Sequence, residues 1–420
     1  MATAEPSAIE SPLIRLSRLS LAVTVGAMPS YVARFGTKPF RTDVLEILVL
    51  LTIALYAAGQ LRTWTGWRPV RTGIEIPTAV LLFAGLISIG VSTDHLGALG
   101  FYRAYFIEPV ILFYIAVDLM RRPNEIRLVL LGFAVGTTVF AILNLGAWAI
   151  ALVTHAHIEV NNAPEALYTS PNSVALFLEP AVAIAAGFAV FSDDRRNRNL
   201  AIAWLAFLLA SMIATLSRGG WLTLAVLVLV VVLTMRRTRL KLAILGGAVV
   251  AAAGISQITF VATRLYRQLD PSYQGNSFEG RLQIWSDTLN MLRARPIFGS
   301  GLRAYQTVMR AYAPPGHTIE LYPHNIFLSM WVELGLLGLV AFAVLIGMLL
   351  WHGWSAYARA NGFARPLLWG TSAAFVAILV HGMFDTPYYN NDISLEFWFV
   401  AALEIAAISF LLRPATRKPG

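Results

Sequence analysis

Runs of mostly apolar residues, each long enough to cross a bilayer, follow one another along nearly the whole chain. A span needs about 20 such residues to cover a hydrocarbon layer roughly 30 Å thick. The runs fall at 13–32, 44–61, 74–91, 101–120, 127–153, 173–191, 200–216, 220–235, 240–258, 325–351, 366–384 and 393–412, about twelve in all. The run at 13–32 contains Arg15, Arg18 and Pro29, so it is the weakest span, with an interfacial helix as its alternative. Composition agrees, since 57% of the 420 residues are hydrophobic and only 13% charged. The expected fold class is an all-α integral membrane protein of about twelve transmembrane helices with one long extracytoplasmic segment containing amphipathic helices. The absence of cysteine excludes thiol chemistry, disulfides and thiolate metal sites. Residues 1–13 are polar, and no signal-peptide cleavage pattern follows them.

A formal charge of +9 is distributed in a way that suits a membrane protein better than a nucleic-acid binder. With the N-terminus inside, the inner loops hold Arg62, Arg68 and Arg71; Arg121, Arg122 and Arg127; Arg195, Arg196 and Arg198; Arg236, Arg237, Arg239 and Lys241; Arg359 and Arg365; and Arg413, Arg417 and Lys418. The outer loops carry Asp94 and His95, Glu159 and Glu165, or Asp385 and Asp392. This is the excess of cytoplasmic cations that sets orientation, and it makes both termini cytoplasmic. Arg34, Lys38 and Arg41 dissent by falling outside. The chain divides into an N-terminal bundle at 1–258, an extracytoplasmic helical segment at 259–323 and a C-terminal bundle at 324–420.

Polar variety concentrates at 279–338, so chemistry is expected there. Leu282, Trp285, Leu289 and Leu292 recur at helical spacing, as do Leu302, Tyr305, Met309 and Tyr312, which predicts two amphipathic helices separated by the turn RPIFGSG at 295–301. Arg218, in the SRGG break at 217–220, has almost no loop to occupy and must sit at the outer membrane boundary. It either snorkels to headgroups or points into a cavity that receives an anion. Arg281 opens the first outer helix, where the macrodipole disfavours a cation unless something negative is bound nearby. Together the two would clamp a phosphate or diphosphate, whose oxygens match the guanidinium fork. Arg303, after the Gly-Ser-Gly turn, is a weaker candidate of the same kind.

His324 stands where the polar stretch becomes a membrane helix. A helix N-terminus favours the neutral imidazole that a general base requires, although a capping role is equally open. Asn325 is placed to orient it. Asn172 is an N-cap or faces the same cavity, Glu108 is placed to pair with Arg103, and His381 and Asp385 share a helical face, with Asp385 the better site candidate. The sequence has no outward Asp-x-Asp, no Gly-rich phosphate loop leading into Lys-Ser or Lys-Thr, and no Gly-x-Ser-x-Gly elbow. No cofactor or metal is therefore expected, with arginine as the counter-ion to a lipid diphosphate.

These residues resemble the O-antigen ligase and polymerase superfamily of bacterial envelope glycosyltransferases. The resemblance rests on LSRGGW at 216–221, GRLQIW at 280–285, PIFGSG at 296–301, PHNIFL at 323–328 and ELGLLG at 333–338, in that order. The N-terminal half adds only its span pattern and SPNSVA at 170–175. The resemblance implies a metal-independent, inverting enzyme of the bacterial inner membrane. It would move a glycan from undecaprenyl diphosphate to the lipid A core at the periplasmic face. It further implies that Arg218 and Arg281 hold the diphosphate and His324 deprotonates the acceptor hydroxyl. The single large outer segment is more like a ligase than a polymerase; polymerases and pilin ligases of the same superfamily are the alternatives. Twelve spans also suit a transporter or flippase of lipid-linked sugars, but the two halves look unlike each other. The enzyme reading requires Arg218, Arg281 and His324 around one outward cavity.

Overall fold

The computed structural model describes residues 11–36, 42–62, 70–158, 163–269 and 277–412. Lys38, Arg41, Arg68, Glu159, Arg413, Arg417 and Lys418, and residues 1–10 of the polar N-terminal stretch, lie outside the described residues. The rest is an all-α protein. Its helices are α1 (Pro12–Gly26), α2 (Val44–Arg62), α3 (Glu75–Val91), α4 (His95–Tyr102), α5 (Glu108–Leu119), α6 (Pro123–Val153), α7 (Pro171–Phe191), α8 (Arg195–Ala214), α9 (Arg218–Thr234) and α10 (Thr238–Ile255). They continue as α11 (Thr259–Leu269), α12 (Ser277–Ala294), α13 (Tyr305–Met309), α14 (Ile326–Tyr357), α15 (Ala364–Gly382) and α16 (Asn391–Ala406). A two-residue pairing of β1 (Arg34–Phe35) with β2 (Thr42–Asp43) precedes α2.

Nine helices among the described residues are long and apolar enough to cross a membrane, counting α4 and α5 with the π-helical turn Arg103–Ile107 as one helix, His95–Leu119. The apolar helices α3 and α9 are shorter, at 17 residues each. The 13–32 run forms a helix only to Gly26, then tightens into a 3-10 turn at Met28–Val32, where Pro29 cannot supply an amide to the ladder. Local chemistry explains many of the boundaries. Pro123 and Pro171 begin α6 and α7, where the missing amide costs nothing. Asp94, Asp194, Ser217 and Asn325 each accept an amide of the first turn that follows.

The stretches before and after the outer segment share one core. α15 packs on α7 and α9, α16 on α5, and α14 on α3, around buried Trp369, Trp398, Tyr388 and Phe375. Close approach of α1 to α6 depends on glycine, because a Cβ on Gly26 would press into the backbone of Gly132. The side chains of Arg103 and Glu108 pair at 3.3 Å as their spacing predicts, and Arg103 also reaches Glu46 at 2.5 Å.

The outer segment departs from the expected helix pair. α12 forms as predicted, but the second helix shrinks to the single turn of α13, and α11 adds a helix that the periodicity did not reveal. α13 cannot lengthen because the residues before it are committed elsewhere. Gly299 and Gly301 have positive φ of 62° and 84°, and both lie against backbone, Gly299 against Val332 and Gly301 against Ser92. This turn fills a break in α14. Gly335 sits at φ 71°, outside the helical range, and Leu336 N–H donates instead to Ile297 O at 2.9 Å. Ser300 N–H donates to Val332 O at 2.7 Å. The turn thus satisfies backbone groups that the break would otherwise leave orphaned in an apolar setting. Met291, Leu292, Tyr305, Met309 and Val332 close over it as a small second core.

Candidate active site

A cavity of about 500 Å³ opens where α7 and α9 begin and α15 ends, with α11 and α12 over it. Its wall includes Arg218, Arg264, Arg281, Asn172, His381 and Phe384. Arg218 and Arg281, far apart in sequence, therefore share one space as predicted. Among the described residues three guanidinium groups and no carboxylate line it, beside apolar Trp221, Leu222, Leu265 and Phe278. Such a wall suits an anion carried on an apolar body.

Each cation is delivered by a different device. Arg218 follows Leu216, whose φ of 54° turns the chain sharply between α8 and α9, and Ser217 caps α9 through Gly220 N–H at 3.2 Å. Arg281 lies one turn inside α12 and donates from Nε to Phe384 O at 2.5 Å. Four residues on, Trp285 Nε1–H donates to Pro323 O at 2.9 Å. The same face of α12 is thereby latched to the two backbone stretches that carry Asp385 and His324. Arg264 comes from α11, which docks by burying Val261 with Leu216 against Trp148, Trp221 and Phe260. Sequence reasoning missed Arg264. Its signal was the helical spacing of Phe260 and Arg264, upstream of the two amphipathic helices that the periodicity predicted.

His324 and Asp385 are both absent from the wall itself and reach it through Asn172. His324 Nδ1 lies 3.1 Å from Asp385 Oδ1, while the second carboxylate oxygen accepts Asn172 Nδ2–H at 3.0 Å. Asn172 in turn accepts the Ser217 hydroxyl at 2.7 Å, so the chain of bonds runs from His324 to the residue before Arg218. Burial alone would raise the Asp385 carboxyl, but the hydrogen bond and charge of His324, with His381 and Arg281 nearby, hold it well below the usual carboxylate range. An ionised Asp385 only accepts, so Nδ1 of His324 donates to it. His324 has φ 49°, a strained setting for a non-glycine residue that fixes the direction of its ring.

Two candidates are placed otherwise than expected. Asn325 does not orient His324: its carbonyl caps Phe327 and Leu328, and its amide donates to Met383 O at 3.1 Å. The orienting group is Asp385. Arg303 is no part of the cavity wall, because at φ 61° its backbone N–H is committed to Glu333 Oε2 at 2.5 Å and its guanidinium to Asp94 at 3.5 Å. His381 and Asp385 do not pair side chain to side chain as their shared face suggests. Asp385 turns to His324, and His381 to Glu179 of α7 at 2.6 Å.

The fold and cavity together define a polytopic helical membrane protein with a cationic cavity at one end of its bundle. Residues 201–343, from α8 to the middle of α14, match the O-antigen ligase family model. This match is consistent with the O-antigen ligase and polymerase superfamily. Members of that family are glycosyltransferase-like enzymes, which implies lipid-linked glycans and glycan acceptors as substrate classes. The matched stretch includes Arg218, Arg264, Arg281 and His324, whereas Asn172 and Asp385 stand outside it. No curated protein matches the chain.

Proposed function

We propose that the protein is an inverting glycosyltransferase that moves a glycan from undecaprenyl diphosphate to a hydroxyl of the lipid A core, an O-antigen ligase. The observation that carries this reading is the meeting of Arg218 and Arg281 in one cavity whose wall residue Asn172 is hydrogen-bonded to Asp385 of the Asp385–His324 pair. The arginines would hold the diphosphate of the donor, and its prenyl chain would leave sideways into lipid past Leu222, Leu265 and Phe278. His324 Nε2 takes the proton of the acceptor hydroxyl, whose oxygen attacks the anomeric carbon as the carbon–oxygen bond to phosphate breaks. Undecaprenyl diphosphate departs, and configuration inverts. Asp385 stabilises the imidazolium, and the guanidinium groups stabilise charge growing on the departing oxygen. The chain would act as an N-terminal bundle at 1–258, an extracytoplasmic segment at 259–323 and a C-terminal bundle at 324–420. The cavity would face the periplasm and both termini the cytoplasm. The basic ends of α6 and α8, at Arg121, Arg122, Arg195 and Arg196, favour this orientation.

The test is reconstitution of purified protein with glycan-bearing undecaprenyl diphosphate and lipid A core, with chelator present, followed by mass analysis. Glycan on the lipid A core, lost with His324→Ala, supports the ligase. Longer lipid-linked chains would make it a polymerase, and no transfer to either acceptor would sink the reading.

A further inference from the structure

A second histidine–carboxylate pair lies against the same cavity. His381 and Glu179 are each 1% exposed, and Nδ1 of the ring is 2.6 Å from Glu179 Oε1. Two ionisable groups inside an apolar bundle are costly, and well-packed apolar residues of similar volume often serve stability as well or better. Their placement suggests a use. His381 contributes to the same cavity wall as the arginines, and its Nε2 lies against Gly219, the residue after Arg218. A Cβ at position 219 would collide with that nitrogen, so the glycine keeps the ring edge open at the start of α9.

Charges surround the ring on every side. Glu179 of α7 faces Nδ1, Arg218 begins α9, Arg281 arrives from α12, and Asp385 follows α15 with His324 bonded to it. Glu396 of α16 lies within electrostatic reach of Glu179. A fourth cation beside Arg218, Arg264 and Arg281 is opposed by their charge, and Glu179 offsets that repulsion. A diphosphate reverses the balance, since its negative charge is matched by the guanidinium groups and an imidazolium together.

We infer that His381, held by Glu179, is a donor-binding residue that takes up a proton when the diphosphate arrives and donates Nε2–H to a phosphate oxygen. The inference rests on the proposed reaction and assigns a role to a residue outside the matched stretch.

The test uses the full chain in nanodiscs with geranylgeranyl diphosphate as probe, titrated by calorimetry in two buffers of different ionisation enthalpy. The difference between buffers reads protons taken up per ligand bound. Wild type is expected to bind with net proton uptake. His381→Gln should bind about tenfold more weakly, as loss of one charge-assisted hydrogen bond implies, with uptake lowered by up to one proton. Titration of the probe and of His324 is common to both proteins and cancels in the comparison. Gly219→Ala, which keeps both side chains but presses a Cβ against the ring edge, should weaken binding in the same direction. Wild-type affinity and proton count in both variants, each melting as wild type does, would overturn the inference and leave the proposed reaction standing. Failure of wild type to bind the probe would overturn both.

Discussion

Asp385→Asn removes one charge while leaving almost the same shape, so it separates orientation from packing. An amide offers His324 no ionic partner and permits the wrong tautomer, and glycan transfer should fall by about 10³-fold with little change in donor affinity. Because the Asp385 carboxyl is held well below its ordinary range, the stability it supplies is present above about pH 4 and is lost only as pH falls towards the lowered value. The melting difference between wild type and Asp385→Asn should therefore stay constant from about pH 5 to 9. Glu165 behaves in the opposite sense. Burial raises its carboxyl to about 7, so the neutral form suits the fold, and stability fades as pH rises from about 4 through that value. Glu165→Gln should flatten the melting profile in that window, and an unchanged slope would show that Glu165 is not its source. Arg218, Arg281 and His324 were legible in the sequence as candidates because each breaks an apolar run or opens a helix. Glu179 lies in the middle of an apolar run, where a carboxylate is itself a signal. Its partner His381 is 202 positions away, and no local pattern encodes that pairing.

Elements were legible wherever hydrophobic length set them, and illegible wherever backbone was satisfied from a distance. The twelve apolar runs each correspond to a helix, but the break in α14 leaves no periodic trace because the residues on both sides of Gly335 remain apolar. The same holds for the lost second outer helix, whose helical spacing was overruled by the demand of that break for the 297–300 backbone. Gly335→Ala imposes an unfavourable positive φ and drives a Cβ into Ile297 O and Phe298. A cost of about 1–3 kcal/mol is expected from the backbone conformation alone. The variant should melt earlier in detergent and lose protection from proteolysis between α12 and α13. Cleavage no faster than in wild type would mean that the turn does not depend on the break.

For the whole molecule, sidedness is the property most directly open to measurement, since the native sequence contains no cysteine and any single introduced thiol reports without background. Ser286→Cys on α12 and Arg359→Cys after α14 should react from opposite sides, the first with an impermeant maleimide in spheroplasts and the second only after permeabilisation. Labelling of both from one side would overturn the proposed orientation. The attachment of α12 has a consequence for how such chains diverge. Trp285 bonds to a peptide carbonyl, at Pro323, and so asks nothing of the side chain at that position. Arg281 also bonds to a carbonyl, at Phe384, but the Phe384 ring itself packs against Phe278 and Trp285 of α12. Homologous chains can exchange the residue at 323 without forcing a matching change in α12, whereas substitutions at 384 should be correlated with those at 278 and 285.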